Sequence, residues 1–173
     1  MTAVYIITRF LTFPGALVRG FFEHLVCRIC GIPVEDNRIV RRDELSGHIE
    51  HELFPKARGA FAICFVPAFM NGILSFLLFL CPFVNLFLFE MNGVLSIILG
   101  VISYWFAFSL YVNSYPTIED ALNMKEKVYK NGSVLQKIFY SPGFVFLYVG
   151  AFAERYCITF LIAAAAFVAL LFI

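Results

Sequence analysis

Apolar runs alternate with polar stretches along this chain. Residues 59–89 hold no Asp, Glu, Lys or Arg, and after Glu90 a second charge-free run covers 91–118. A helix needs about 20 apolar residues to cross a ~30 Å hydrocarbon core, so each run is long enough for one crossing. The pattern predicts membrane spans over about 60–80 and 93–113. Cys81-Pro82 is expected to kink or end the first span, because proline lacks the N–H a helix needs. Residues 83–89 then read as a short interfacial or re-entrant piece. Tyr104, Trp105, Tyr111 and Tyr115 are available as interface anchors on the second span. Two shorter apolar helices are expected at 139–153, interrupted by Pro142-Gly143, and at 157–173. Glu154-Arg155 between them reads either as a short loop joining two membrane segments or as a buried pair inside one tilted helix. Charges within a membrane are costly and tend to be paired.

Before the first span, Phe13-Pro14-Gly15 breaks an apolar stretch, and Pro14 is well placed to open a helix that Gly31 and Pro33 end near Ile29. At 100° steps, Phe21, Val18, Leu25, Ile29, Phe22 and Val26 share one arc. Arg19, Glu23, Cys27, Cys30, Gly20, His24 and Arg28 share the other. Such an amphipathic helix lies flat at an interface, packs its apolar face on the spans, or turns its polar face into a site within the bundle. Arg19 and Glu23, four residues apart, suit an ion pair.

The remaining polar residues form two loops. Arg28, Arg38, Arg41, Arg42, Lys56 and Arg58 belong to the first, and Lys125, Lys127, Lys130 and Lys137 to the second. The turn at Glu90 has no Lys or Arg, so the positive-inside rule puts both loops in the cytoplasm and that turn outside. The first loop has room for a short strand or hairpin around 39–40 and 46–50. In the second, Thr117 can cap a new helix, with Glu119 and Asp120 in its first turn. The N-terminus does not read as a cleavable signal, since Arg9 breaks its apolar stretch and no small-residue cleavage site follows.

Composition agrees with the pattern. Of 173 residues, 61% are hydrophobic and 14% charged. Soluble domains carry roughly 45–50% and about 25%, so the composition argues against a water-soluble globule. Disorder, which needs low hydrophobicity, is excluded. A net charge of +1 offers no polycation to hold nucleic acid. Five cysteines, an odd number, argue against a disulfide framework. The expectation is an all-α polytopic bundle of the cell membrane, multi-pass, with an N-terminal amphipathic helix and two cytoplasmic polar loops. Its parts fall into one membrane domain, 1–173: segment and helix 1–30, loop 31–58, spans 59–113, loop 114–138, apolar helices 139–173.

The candidate chemistry is metal-type. Cys27 and Cys30 form a CxxC preceded by His24, and Gly47-His48-Ile49-Glu50-His51-Glu52 lies downstream. Zinc takes N and S donors of this kind, although the spacing matches no recognised ligand pattern. Glu23, His24, His48 and His51 are the candidate ligands. A thioredoxin-like role lacks the βαβ pattern that surrounds such a motif. Asp120 reads first as a capping residue.

Taken together, Phe13-Pro14-Gly15-Ala16-Leu17-Val18, Cys27-Arg28-Ile29-Cys30-Gly31-Ile32-Pro33-Val34, Gly47-His48-Ile49-Glu50-His51 and Tyr115-Pro116-Thr117-Ile118-Glu119-Asp120-Ala121 resemble a family of small bacterial membrane proteins of the site-2-protease-like zinc metallopeptidase type. The resemblance implies an HExxH on the first helix in catalytic members, a few residues after Pro-Gly. Here Arg19 and Glu23 stand where its histidines would be, and Gly20 where its glutamate would be. A protonated guanidinium does not ligate zinc. The expectation is therefore a non-catalytic membrane protein, with no cofactor, that binds a membrane client within the lipid bilayer. One alternative is an active metal-dependent peptidase with zinc displaced onto Glu23, His24, His48 and His51. Others are a small channel or transporter, disfavoured by the scarcity of polar groups in the spans, and a structural subunit.

Overall fold

Pro14 and Gly31 delimit a helix as the sequence predicts. In the computed structural model, which describes residues 2–36, 49–88, 93–130 and 132–170, helix α1 (Thr2–Leu11) is followed at Thr12 by α2 (Phe13–Cys30). Gly31 ends α2 in the left-handed conformation at φ 68°, and the Ile32 N–H donates to the Cys27 carbonyl at 2.9 Å. This is a glycine C-cap of the Schellman kind. Strand β1 (Val34–Asp36) pairs antiparallel with β2 (Glu50–His51), Val34 opposite His51. The hairpin thus starts earlier than the 39–40 expectation, and that segment lies outside the described residues.

Helix α3 (Ala57–Leu88) is followed by α4 (Val94–Val112), then α5 (Ile118–Lys125), which runs into a π-helical turn at Glu126–Lys130, then α6 (Val134–Arg155) and α7 (Ile158–Leu170). The architecture is an all-α bundle. Among the described residues, three helices are long and apolar enough to cross a membrane: Ala57–Cys81, Val94–Val112 and Val134–Arg155.

Two breaks expected from proline do not occur. Helix α3 continues through Pro82 to Leu88, so 83–88 extends the helix and is no separate re-entrant piece. Helix α6 continues through Pro142 and begins at Val134, not 139. Proline removes one hydrogen bond, but in apolar surroundings a helix that stopped would expose many more backbone groups with no water to bond them. The start of α6 is fixed by a capping box in which Ser133 accepts from the Gln136 N–H and Gln136 accepts from the Ser133 N–H. Glu154 and Arg155 are the last residues of α6, and the chain turns just after them at Tyr156 and Cys157 (φ 57°), so the two apolar segments are separate helices but the charged pair is helical and not a loop.

Helix α2 is inverted relative to a helix on a water-soluble bundle. Arg19, Gly20, Glu23 and Cys27 are buried, while Phe21 is 55% and Ile29 76% exposed. Arg19, Glu23 and Cys27 thus face the bundle and Phe21, Leu25 and Ile29 face out, while Val26 of the apolar arc is buried and Arg28 and Cys30 of the polar arc are exposed. One core lies where α2, α3, the α5 region and α6 meet, around Val26, Cys27, Phe54, Ile63, Met124 and Leu147. Helices α3 and α4 are antiparallel. Ser75 donates to the Ala107 carbonyl at 2.7 Å and Asn71 to the Asn113 carbonyl at 3.1 Å. The end of α4 is therefore level with the middle of α3.

Candidate functional site

At that middle level several helix ends converge: the α1–α2 junction, the end of α4 and the end of α6. Helix ends leave carbonyls and N–H groups without intrahelical partners, and inside an apolar bundle side chains must satisfy them. Asn113 Nδ2 donates to the Thr12 carbonyl at 2.9 Å, and Ser109 Oγ donates to the same carbonyl at 2.8 Å. The Gly15 N–H donates to Ser109 Oγ at 2.7 Å, and Asn71 Nδ2 donates to the Gly15 carbonyl at 3.3 Å. A Cβ at residue 15 would overlap the Ser109 carbonyl, so only glycine permits this approach of α2 to α4.

A buried ionic network sits on this frame. Arg19 Nε donates to Glu23 Oε1 at 2.8 Å, one turn away, with the two side chains 2% and 1% exposed. Arg19 Nη1 reaches Glu154 Oε1 at 3.2 Å. Arg9 pairs with the same Glu154 oxygen and donates to Asn113 Oδ1 at 2.6 Å. The second Glu23 oxygen accepts from the Ile49 N–H at 3.2 Å, which ties α2 to the start of β2. Among the described residues, the buried Arg19 Nη2 and Glu154 Oε2 have no hydrogen-bond partner. A void of about 10 Å³ beside Thr8, Arg9, Glu154 and Thr159 has room for roughly one water.

A second pair joins the two polar loops. His51 Nε2 of β2 lies 3.3 Å from Asp120 Oδ1 of α5, both side chains buried. His51 Nδ1 lies 2.9 Å from the Glu52 carbonyl. Both ring nitrogens face acceptors, and only the imidazolium is a donor at both. Burial works against that charge, but the Asp120 carboxylate outweighs it and pushes the His51 pKa up to about 9. Asp120 also fills the capping role expected of it, since its N–H and a carboxylate oxygen both bond Thr117 Oγ1, at 3.2 and 2.7 Å.

The residues singled out by sequence are partly gathered here. Arg19, Glu23 and Cys27 are buried together on α2, whereas Cys30 is exposed at its end and His24 half-buried. Among the described residues, no three His, Cys, Asp or Glu side chains are placed to hold a metal ion. His48 lies outside the described residues. Glu23 and His51 are engaged by Arg19, the Ile49 N–H and Asp120. Glu154 pairs with Arg9 and Arg19 and not with its neighbour Arg155. Sequence reasoning had not assigned Arg9, Asn71, Ser109, Asn113 and Glu154 to the site, although each is a polar residue in or beside an apolar run.

Fold and site define an apolar helical bundle whose polar core is an ion-pair network. Compared with known proteins, the chain matches no family model, no curated sequence and no solved structure.

Proposed function

We propose that the chain is a multi-pass protein of the cell membrane in which an ion-pair network stands where a site-2-protease-like metallopeptidase carries its zinc motif. It acts by holding a membrane client without cleaving it. The observation that carries this reading is the buried Arg19–Glu23 pair at the two positions matched to the motif's histidines. A guanidinium is no zinc ligand, and Glu23 is already engaged by Arg19 and the Ile49 N–H. Gly20 offers no general base. The outward apolar face of α2 suits acyl chains, and both basic loops suit the cytoplasmic side.

Elemental mass spectrometry of the detergent-purified chain tests it, beside a His24→Ala/His51→Ala variant and an Arg19→His/Gly20→Glu/Glu23→His variant. Wild type should hold no stoichiometric zinc, and the restored motif should gain about one zinc per chain, since two histidines one turn apart on a helix face bind the metal together. Zinc in the wild type that disappears with the histidine pair would overturn the reading in favour of a displaced peptidase site at Glu23, His24, His48 and His51.

A second reading, a small ion-coupled transporter, is favoured by one observation. The helical path is interrupted at Thr12 and at Tyr156–Cys157, level with the buried charges. Interrupted helices and ionised groups at mid-height are the usual elements of a transport site. Proton flux into proteoliposomes that is lost in Glu154→Gln would support it, and flux equal to empty vesicles would remove it.

A further inference from the structure

Two openings lie in line along the seam between α3 and α6. At the end where both helices begin, a cleft of about 440 Å³ is lined by Lys56, Arg58, Lys127 and Gln136, with Pro55 and Ala57 completing it. No carboxylate is among these residues. Among the described residues, no ion pair engages any of the three cations. Ala57 is also the first residue of α3, so the positive end of a 32-residue helix faces the same space. Further along, an apolar groove of about 430 Å³ runs past Phe65, Phe69, Gly72 and Leu77 of α3 and Gly143 and Leu147 of α6.

Cleft and groove share one ridge of α3. Ala57, Phe61, Phe65 and Phe69 are each four residues apart, and the Phe61–Phe65 and Phe65–Phe69 rings stack at 5.4 Å between centroids. On α6, Gln136, Tyr140, Gly143 and Leu147 follow the same face, with Tyr140 stacked on Phe61 at 4.5 Å. Seven residues separate Arg58 from Phe65, which is about 10 Å along the helix. A ligand filling both openings needs an anionic head and an apolar tail of at least that length. An inorganic anion leaves the groove empty, a zwitterionic lipid leaves the cations uncompensated, and a client helix fills the groove without supplying the anion.

We propose that this seam binds one anionic phospholipid, its phosphate headgroup against Lys56, Arg58 and Lys127 and an acyl chain along the Phe61–Phe65–Phe69 ridge. Basic pockets between membrane helices on the cytoplasmic side hold such headgroups. The inference rests on the membrane placement of α3 and α6 and not on the fate of the zinc motif, so the metal assay and this one fail independently.

Native mass spectrometry of the detergent-solubilised full chain, titrated with phosphatidylglycerol or phosphatidylcholine of equal chain length, reads the site directly. One phosphatidylglycerol should be retained per chain in clear preference to phosphatidylcholine. Each cation is worth about fivefold, so Lys56→Gln/Arg58→Gln/Lys127→Gln should lose the preference by about 100-fold, while Lys56→Arg/Arg58→Lys/Lys127→Arg keeps it. Gly72→Leu, built into open space in the groove, should weaken long-chain phosphatidylglycerol and leave a short-chain analogue unaffected. Equal binding of the two lipids, or a preference untouched by the glutamine variant, would overturn the proposal. Displacement by inorganic phosphate as readily as by phosphatidylglycerol would reduce the site to an anion cleft and overturn its acyl part. A monodisperse gel-filtration peak and a melting temperature no lower than that of the wild type certify the folding of each variant.

Discussion

Glu154 meets two guanidiniums through a single oxygen, those of Arg9 and Arg19. Arg19 in turn holds Glu23, so removing Arg19 leaves buried Glu23 without its guanidinium and Glu154 with that of Arg9. Breaking a buried pair from one side costs about 3–5 kcal/mol, because the remaining charge stays desolvated. Arg19→Ala should lower stability by that order in denaturant titrations of the detergent-solubilised protein. The exchange Arg19→Glu/Glu23→Arg should recover only part, because it brings a glutamate towards Glu154. A double-mutant cycle without coupling between residues 19 and 23 would refute the pair. His51 makes a different prediction. Its pKa is raised from the ordinary 6.5 to about 9 by Asp120 against the opposing effect of burial. The stabilisation from its charge is therefore fully present below about pH 6.5 and is lost as pH rises through about 9. Glu23 adds to the field that holds this proton, and Phe54 packs its ring against the imidazole. Raising the pH from 6 to 10 should loosen the hairpin from α5, measured as lower protection of the amides of residues 49–52 relative to their intrinsic exchange rates at each pH. Asp120→Asn should flatten that dependence.

Helix packing makes a prediction through two glycines with opposite surroundings. At Gly15 an added methyl would overlap the Ser109 backbone, whereas at Gly72 nothing lies within 4 Å. Gly15→Ala should cost about 1–3 kcal/mol by forcing α2 away from α4. Gly72→Ala should stabilise by about 0.5–1 kcal/mol, because glycine is a poor helix former. Thermal unfolding of both variants checks the contrast, and equal effects would show that the close approach at Gly15 is not a constraint. The boundaries of α2 were legible in Pro14 and Gly31, and so was the division of its residues into two faces. The direction of burial was not, because periodicity sorts residues without naming the solvent. Phe21, Leu25 and Ile29 turn outward, and Arg19 and Glu23 go in. The ends expected at Pro82 and Pro142 failed for the same reason, since proline breaks helices readily only where water can take the released carbonyls. The capping of α5 by Thr117 was legible because it is local. The pairing of Glu154 with residues 135 and 145 positions away was not, because no local spacing encodes it.

At the level of the whole bundle, height and sidedness are linked. Helix α3 has 32 residues and is about 48 Å long, well beyond a ~30 Å hydrocarbon core. Helix α4 reaches only half that height, ending at Asn113 beside Asn71. A bilayer that covers all three long apolar helices therefore requires α3 to tilt or to project beyond the core. Whichever it does, the His51–Asp120 pair fastens the first polar loop to the second. Lys56 and Lys127 line one cleft, so they share one end of the bundle. Gly93 starts α4, whose last turn leads back toward that end, so it belongs to the opposite one. Single cysteines at 56, 127 and 93, placed in a variant with Cys27, Cys30, Cys64, Cys81 and Cys157 changed to serine, should react with a membrane-impermeant maleimide in two groups. Residue 93 should label in intact cells, and residues 56 and 127 only after the membrane is opened. Labelling of 56 and 127 from different sides would break the connection between the loops and with it the placement of the buried network between two faces. Labelling of all three from outside would leave the bundle intact but reverse the argument from Lys and Arg. The basic cleft would then face away from the cytoplasmic leaflet, whose anionic lipids are the ones its charges attract.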